Sequence, residues 1–401
     1  MNYILLLALT VLFPLNQQLH LKPFPNVDGF IIDYLMLKIS VPELLIVLIT
    51  TSQIRPILDS IKNEILVRYV VLVFSIFSVV SIVFSRYQLV AIYENLIIVL
   101  LILNLLPLIK SPYLNLSLFV NSIKVWMILL ALLGFSQFWL QESVLNNYAL
   151  FGEFPYSEDH YHIKQKGFLF EDLIPPYAIF SHSNIFGGFI LLSIMFLGIA
   201  KKDSIFFHTI SLALFFIIGS LNILVCYLIW IVFTKIPGVA NRQISFAKVL
   251  FLLLIIYFLQ MFMSLSYKDY SGNFSLFRRL YMFDLSLNSF IENPANLLIS
   301  GYYNYFYIVK NQLYRYEVVR FFQPPHNLFN TLIWQYGVLF LISFFIFLNY
   351  TFRKIPQELV KLTSVVLVAS MLDHFFLTNH QLKFFVFLII PYSLIAKNSI
   401  K

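Results

Sequence analysis

Charge is what this chain lacks most. Of its 401 residues, 27 are Lys or Arg and 19 are Asp or Glu, 11% in all, against roughly 25% in an ordinary soluble domain. With 60% hydrophobic residues and a mean hydropathy of +0.83, too little polar surface exists to coat a body of this size in water. An ordinary soluble protein is excluded, and the solvent is largely lipid. Cysteine is nearly absent: Cys226 stands alone in an apolar stretch, which excludes a disulfide framework or a cysteine metal site within the chain. Glycine is scarce, with 12 residues in 401, about 3% against a typical ~7%. The net charge is +8, yet no run of five or six basic residues occurs. Nucleic acid is therefore not an expected partner, and the scattered cations read as topology signals and anion contacts.

What is present is a series of charge-poor apolar stretches, near 2–16, 38–53, 68–85, 93–109, 122–140, 185–200, 205–219, 221–234, 247–264, 331–350, 358–377 and 382–397. These predict an all-α polytopic membrane protein with about twelve transmembrane helices and two long extracytoplasmic loops, the second partly helical. Several are shorter than the ~20 residues of an ideal span, above all the pair separated at Ser220. The N-terminus, MNYILLLALTVLFPLNQQLH, lacks the basic start and small-residue cleavage site of a signal peptide and reads as the first span. With both termini cytoplasmic, fifteen of the 27 cations fall inside, Arg55, Lys62 and Arg68 among them. The short outside connections hold only Lys22, Lys38, Arg86 and Lys383, as the positive-inside rule requires. The chain then divides into helices at 1–140, a loop at 141–184, central helices at 185–264, a large loop at 265–330 and C-terminal helices at 331–401.

Polar chemistry concentrates in the two long loops. The first carries Glu158, Asp159, His160 and His162; an extended strand would put both histidines on one face, as metal ligands could be, but such clusters are usually solvated loop. No metal site is expected there. In the second, LFRRLYMFDLSLNSFIEN sets Leu276, Leu280, Phe283, Leu287 and Phe290 at helical spacing, predicting an amphipathic helix at the membrane surface. Its start holds Arg278 and Arg279, the only adjacent arginines in the chain.

That basic helix, then ENPANLLISGYYNYF, then PPHNLFNTLIWQYGVLFLISFF, resembles the signature region of the O-antigen ligase and O-antigen polymerase family of bacterial envelope proteins. Gly301 and Tyr302 stand for the family's glycine segment, and His326, Asn327 and Gly337 for its histidine motif. FSHSNIFGGFILLSI resembles the start of a middle span in the same family. The likeness covers roughly 180–350, whereas the N-terminal half matches only in hydropathy. Two departures stand out: Ser220 lacks the arginine that often follows in the family, and the glycine segment is reduced to Ser300-Gly301-Tyr302.

The resemblance implies glycosyl transfer from an undecaprenyl-diphosphate-linked glycan to an acceptor hydroxyl at the outer leaflet of the bacterial inner membrane. No cofactor or metal is needed, because the donor is already activated. Guanidinium suits the leaving diphosphate, since its fork binds phosphate bidentately and stays charged. Arg278 and Arg279 are the diphosphate candidates, and His326 is the candidate to take the acceptor's proton. An arginine pair beside an apolar segment is often only a snorkelling anchor, and a residue before Asn327 can belong to an ordinary helix cap. The two motifs together favour chemistry. Asn327, Arg315, Arg320, Asn184 and His374 are further candidates for substrate binding. For Arg315 and Arg320 solvated loop charge is the plainer account, and for Asn184 a cap on the following helix. His374 lies with Asp373 and His380 near the outer end of the last helix pair, where ionisable groups commonly face a bundle interior or water.

A polymerase would pass the glycan to a second lipid-linked repeat, a ligase to lipid A core; the aromatic-rich loop at 141–184 favours a polymerase. Membrane lipid, a chain-length regulator and a flippase are the partners the family implies. A transporter of lipid-linked glycan is the reading from another class. Scarce glycine, the absence of an internal repeat and polar residues gathered outside the spans weigh against it.

Overall fold

Long runs of Leu, Ile, Val and Phe leave the backbone one local way to satisfy its polar groups away from water, and helices account for 76% of the structure. The computed structural model describes residues 3–15, 17–20, 26–27, 30–31, 33–148, 152–156, 170, 173–270, 274–309 and 323–398. In chain order the longer helices are α1 (Tyr3–Leu12), α2 (Val41–Ser52), α3 (Ile54–Asn63), α4 (Ile65–Val83), α5 (Gln88–Ile109) and α6 (Leu116–Leu140). There follow α7 (Ser183–Ile199), α8 (Ile205–Ile218), α9 (Leu221–Lys235), α10 (Phe246–Ser264) and α11 (Phe274–Glu292). The last are α12 (Leu328–Tyr336), α13 (Val338–Phe352), α14 (Gln357–Leu372) and α15 (His380–Asn398). Among the described residues, sheet is confined to two antiparallel pairs near the N-terminus, Gln18–His20 with Lys38–Ser40 and Asn26–Val27 with Phe30–Ile31.

Each expected apolar stretch contains a helix, but length separates them. Among the described residues, three helices, Gln88–Ile109, Leu116–Leu140 and Phe246–Ser264, are long and apolar enough to cross a bilayer, or four if the bent pair Val41–Ser52 and Ile54–Asn63 forms one span. The others are apolar but shorter. Two of the stretches are broken: Gly337 separates α12 from α13, and Asp373 and His374 separate α14 from a short turn at Phe375–Thr378. At Gly337, φ is +84° and a Cβ would overlap the Leu298 carbonyl, so only glycine fits.

Local signals explain several ends. Ser40 and Glu43 form a capping box at the start of α2, Ser40 N–H donating to Glu43 Oε2 at 2.6 Å. Asn115 caps α6 by accepting from Leu118 N–H. At the other end of α6, Gln137 organises the first loop. Its Nε2 donates to Glu153 and Ala178, and its Oε1 accepts from the backbone of Tyr177 and Ala178. Glu153 in turn accepts from the backbone N–H groups of Val144, Leu145 and Asn146.

At the centre lies α7, buried continuously from Ser183 to Leu197 and packed against α6, α8, α9 and α15. The apolar window of α10, by contrast, is only 17% buried, leaving Phe251, Phe258 and Phe262 outward, as a lipid-facing helix requires. The helix expected at the membrane surface is α11, and its burial extends beyond the expected apolar stripe. Leu280, Phe283 and Phe290 are buried, but so are Phe277, Tyr281, Met282 and Leu285. Its apolar residues surround more than one face, and it packs against α10.

Candidate active site

Residues from five helices, most of them at starts or breaks, converge on one buried polar cluster. Arg278 and Arg279 come from the second turn of α11, His326 and Asn327 from the start of α12, and Asp373 and His374 from the break after α14. Asn184 comes from the first turn of α7, and Gln260 from α10. Irregular backbone of this kind inside an apolar bundle persists only where it is covered by protein or lines a polar space.

Asp373 is the hub. Its Oδ2 accepts from Arg279 Nη2 at 3.2 Å and from Asn184 Nδ2 at 3.0 Å. Its Oδ1 lies 3.4 Å from His326 Nδ1. The Asp373 side chain is 4% exposed and that of Arg279 26%, so water screens the ion pair only from the arginine side. Gln323 holds the other flank: its Oε1 accepts from Arg278 Nη2 at 2.8 Å and lies 2.9 Å from His326 Nε2. Because a guanidinium can only donate, that Gln323 atom is the amide oxygen, and His326 Nε2 must carry the proton. His326 Nδ1 is therefore the bare nitrogen. It has no hydrogen-bond partner among the described residues.

Two guanidiniums and one carboxylate leave the cluster with a net positive charge when both imidazoles are neutral. Burial, aided by repulsion from Arg279 and Arg278, outweighs the attraction of Asp373 and pulls the His326 pKa from 6.5 down to about 4. Burial and its neighbour Arg279 likewise lower Arg278 to about 10, which still leaves it charged near neutral pH. The arrangement favours an anion beside the arginines and a proton donor beside Nδ1. His326, Asp373 and His374 each offer a ligand atom within 4.8 Å of the others, but the two arginines oppose a divalent cation there.

The sequence-predicted residues fare differently. Arg278, Arg279, His326, His374 and Asn184 meet in the cluster. Asn327, not His326, caps α12, accepting from Phe329 and Asn330 N–H, while its amide donates to Gln260; this structural work accounts for it. Asn184 is not the cap of α7, since His182 is, and its amide serves Asp373 instead. Arg315, Arg320 and the Glu158, Asp159, His160, His162 group lie outside the described residues. Gly301 packs on the turn between α4 and α5, where a Cβ would overlap the Phe84 backbone. The segment is tied there by Ser85 Oγ donating to Tyr302 O and Asn304 Nδ2 donating to Phe84 O.

Sequence reading gave no role to Gln323, Gln260 or Asp373. The available signal was a polar or ionisable residue interrupting an apolar stretch, as Gln260 and Asp373 do. Gln323 carried none beyond its place before Pro324 and Pro325. No protein-family model, characterised protein or solved structure matches the chain. The family resemblance thus rests on the motifs alone.

Proposed function

We propose that this chain is a metal-independent glycosyltransferase that polymerises a polysaccharide of the O-antigen or capsule type. It transfers an undecaprenyl-diphosphate-linked glycan to an acceptor sugar hydroxyl at the periplasmic face of a bacterial inner membrane, with about twelve spans and both termini cytoplasmic. The observation that carries this reading is the meeting of Arg278, Arg279 and His326, which come from two separate motifs, around one buried carboxylate. In the reaction the acceptor oxygen attacks the anomeric carbon as the bond to the diphosphate breaks. The arginines hold the charge that grows on the leaving oxygen, and His326 Nδ1 accepts the acceptor's proton. The new N–H faces Asp373 Oδ1, which stabilises the imidazolium. Diphosphate beside the arginines would also cancel part of their repulsion on the imidazole, so donor binding strengthens the base. A ligase acting on lipid A core would use the same centre with another acceptor. Transport of lipid-linked glycan draws support from the broken helices, but it leaves the paired lone nitrogen and carboxylate without a task.

The test is the glycan ladder of cells whose own copy is deleted and replaced by variants at matched protein level. Arg278→Lys and Arg279→Lys should each shorten or abolish the ladder, because a point charge cannot reproduce the fork, while membrane insertion survives. Full ladders in both, and in the double alanine variant, would remove the diphosphate clamp.

A further inference from the structure

Three acceptor atoms face one another in the cluster without a proton among them. They are His326 Nδ1, Asp373 Oδ1 and His374 Nε2; the first two lie 3.4 Å apart, and the three residues each bring a ligand atom within 4.8 Å of the others. Their residues are 5%, 3% and 0% exposed, and none of the three atoms has a hydrogen-bond partner among the described residues. The His326 tautomer follows from Gln323, as above. For His374, Nδ1 lies 2.7 Å from Thr378 Oγ1, whose own hydroxyl donates to the His374 carbonyl at 3.2 Å. Oγ1 then accepts from Nδ1–H, and Nε2 is left bare. Three converging lone pairs in a buried place are costly unless something donates to them.

Chemistry narrows the occupant. Lone pairs repel an anion, and an apolar group would leave all three unsatisfied. A zinc ion at about 2.0–2.1 Å from each donor would draw them to within about 3.4 Å of one another, and it would sit beside Arg279, which already bonds the same carboxylate. A water oxygen at about 2.8 Å from these atoms donates its two protons to two of them, and an acceptor hydroxyl donates its one proton to one. We infer that His326 Nδ1, Asp373 Oδ1 and His374 Nε2 form the site of the attacking oxygen, that water takes it when no acceptor sugar is bound, and that the protein consequently hydrolyses its lipid-linked donor. This inference rests on the glycosyl-transfer reading.

The step balances. Water oxygen bonds to the anomeric carbon, and the carbon–oxygen bond to the diphosphate breaks with its electron pair going to the phosphate oxygen held by the arginines. One water proton passes to His326 Nδ1 and from there to solvent. The products are a free reducing saccharide and polyprenyl diphosphate.

The experiment uses the full chain in lipid nanodiscs, with lipid-linked saccharide extracted from cells lacking the protein. In ¹⁸O-water at high dilution of the saccharide, reducing saccharide should appear more slowly than transfer product does at high concentration, with ¹⁸O at its reducing end. His326→Ala should slow release by about 10²–10⁴-fold. His374→Gln should slow it about fivefold, one hydrogen bond's worth, with the donor KM unchanged. Transfer without any release of reducing saccharide overturns the water site and leaves the transfer reading standing. So does ¹⁸O in the phosphate instead of the sugar, or stoichiometric bound zinc whose removal stops turnover. Failure of transfer and release together, in well-folded protein, overturns the transfer reading itself.

Discussion

Replacing Asp373 by Asn changes the shape of the cluster least and its electrostatics most. The new amide oxygen can still accept from Arg279 and Asn184, which now bond to the native Oδ2 at 3.2 and 3.0 Å. Those bonds lose their charge assistance, a difference of about 1 kcal/mol each. The Arg279 contribution is discounted because its side chain is 26% exposed, so the total cost is about 1–2 kcal/mol and the protein should still accumulate in membranes. The amide nitrogen then replaces Oδ1, 3.4 Å from His326 Nδ1. It donates to the lone pair that the mechanism needs. Loss of the general base costs about 10²–10⁴-fold, so transfer should fall by that factor while donor binding, carried by the arginines, persists. The assay compares single-turnover transfer with donor retention by the same nanodisc preparation. A variant that holds donor and transfers within a factor of about three of the parent would refute the role of the His326 and Asp373 pair.

Four further outcomes are expected. His326→Asn should leave single repeats on the lipid and no ladder, and a normal ladder would reduce His326 to a structural residue; because its folded pKa of about 4 lies below the ordinary 6.5, the neutral form stabilises the fold fully above pH 6.5, that contribution drains away as pH falls towards 4, and denaturation midpoints of the His326→Gln variant should vary less across this window. Gly301→Ala would drive a methyl into the Phe84 backbone, so detergent-solubilised variant should unfold markedly earlier than the parent, by several kcal/mol if the turn cannot shift; an unchanged midpoint would show that the turn yields. Reporter fusions at Asn273 and Gln357 should report opposite sides of the membrane, and matching signals would overturn the topology.

Hydrophobic content and its interruption by charge were enough to predict a helical membrane protein from the sequence, because a backbone in lipid has few other ways to bond itself. The helix start holding Arg278 and Arg279, the His326-Asn327 motif and the polar Asp373-His374 pair were each visible as local departures from apolar monotony. Their partnership was not. Nothing in chain order brings α11, the start of α12 and the break after α14 together; the packing of α11 on α10, and of α10 and α12 on α14, does that. The same holds for atomic detail. That Nδ1 and not Nε2 of His326 is bare depends on Gln323, whose amide oxygen is identified by Arg278, and that Asn327 is occupied with capping depends on where α12 begins. Nor did hydropathy reveal that two apolar stretches break at Gly337 and Asp373, since composition records how much apolar surface a segment has and not where its backbone bends. Periodicity declares which residues shun water; only the folded chain decides which lone pairs and charges must face one another.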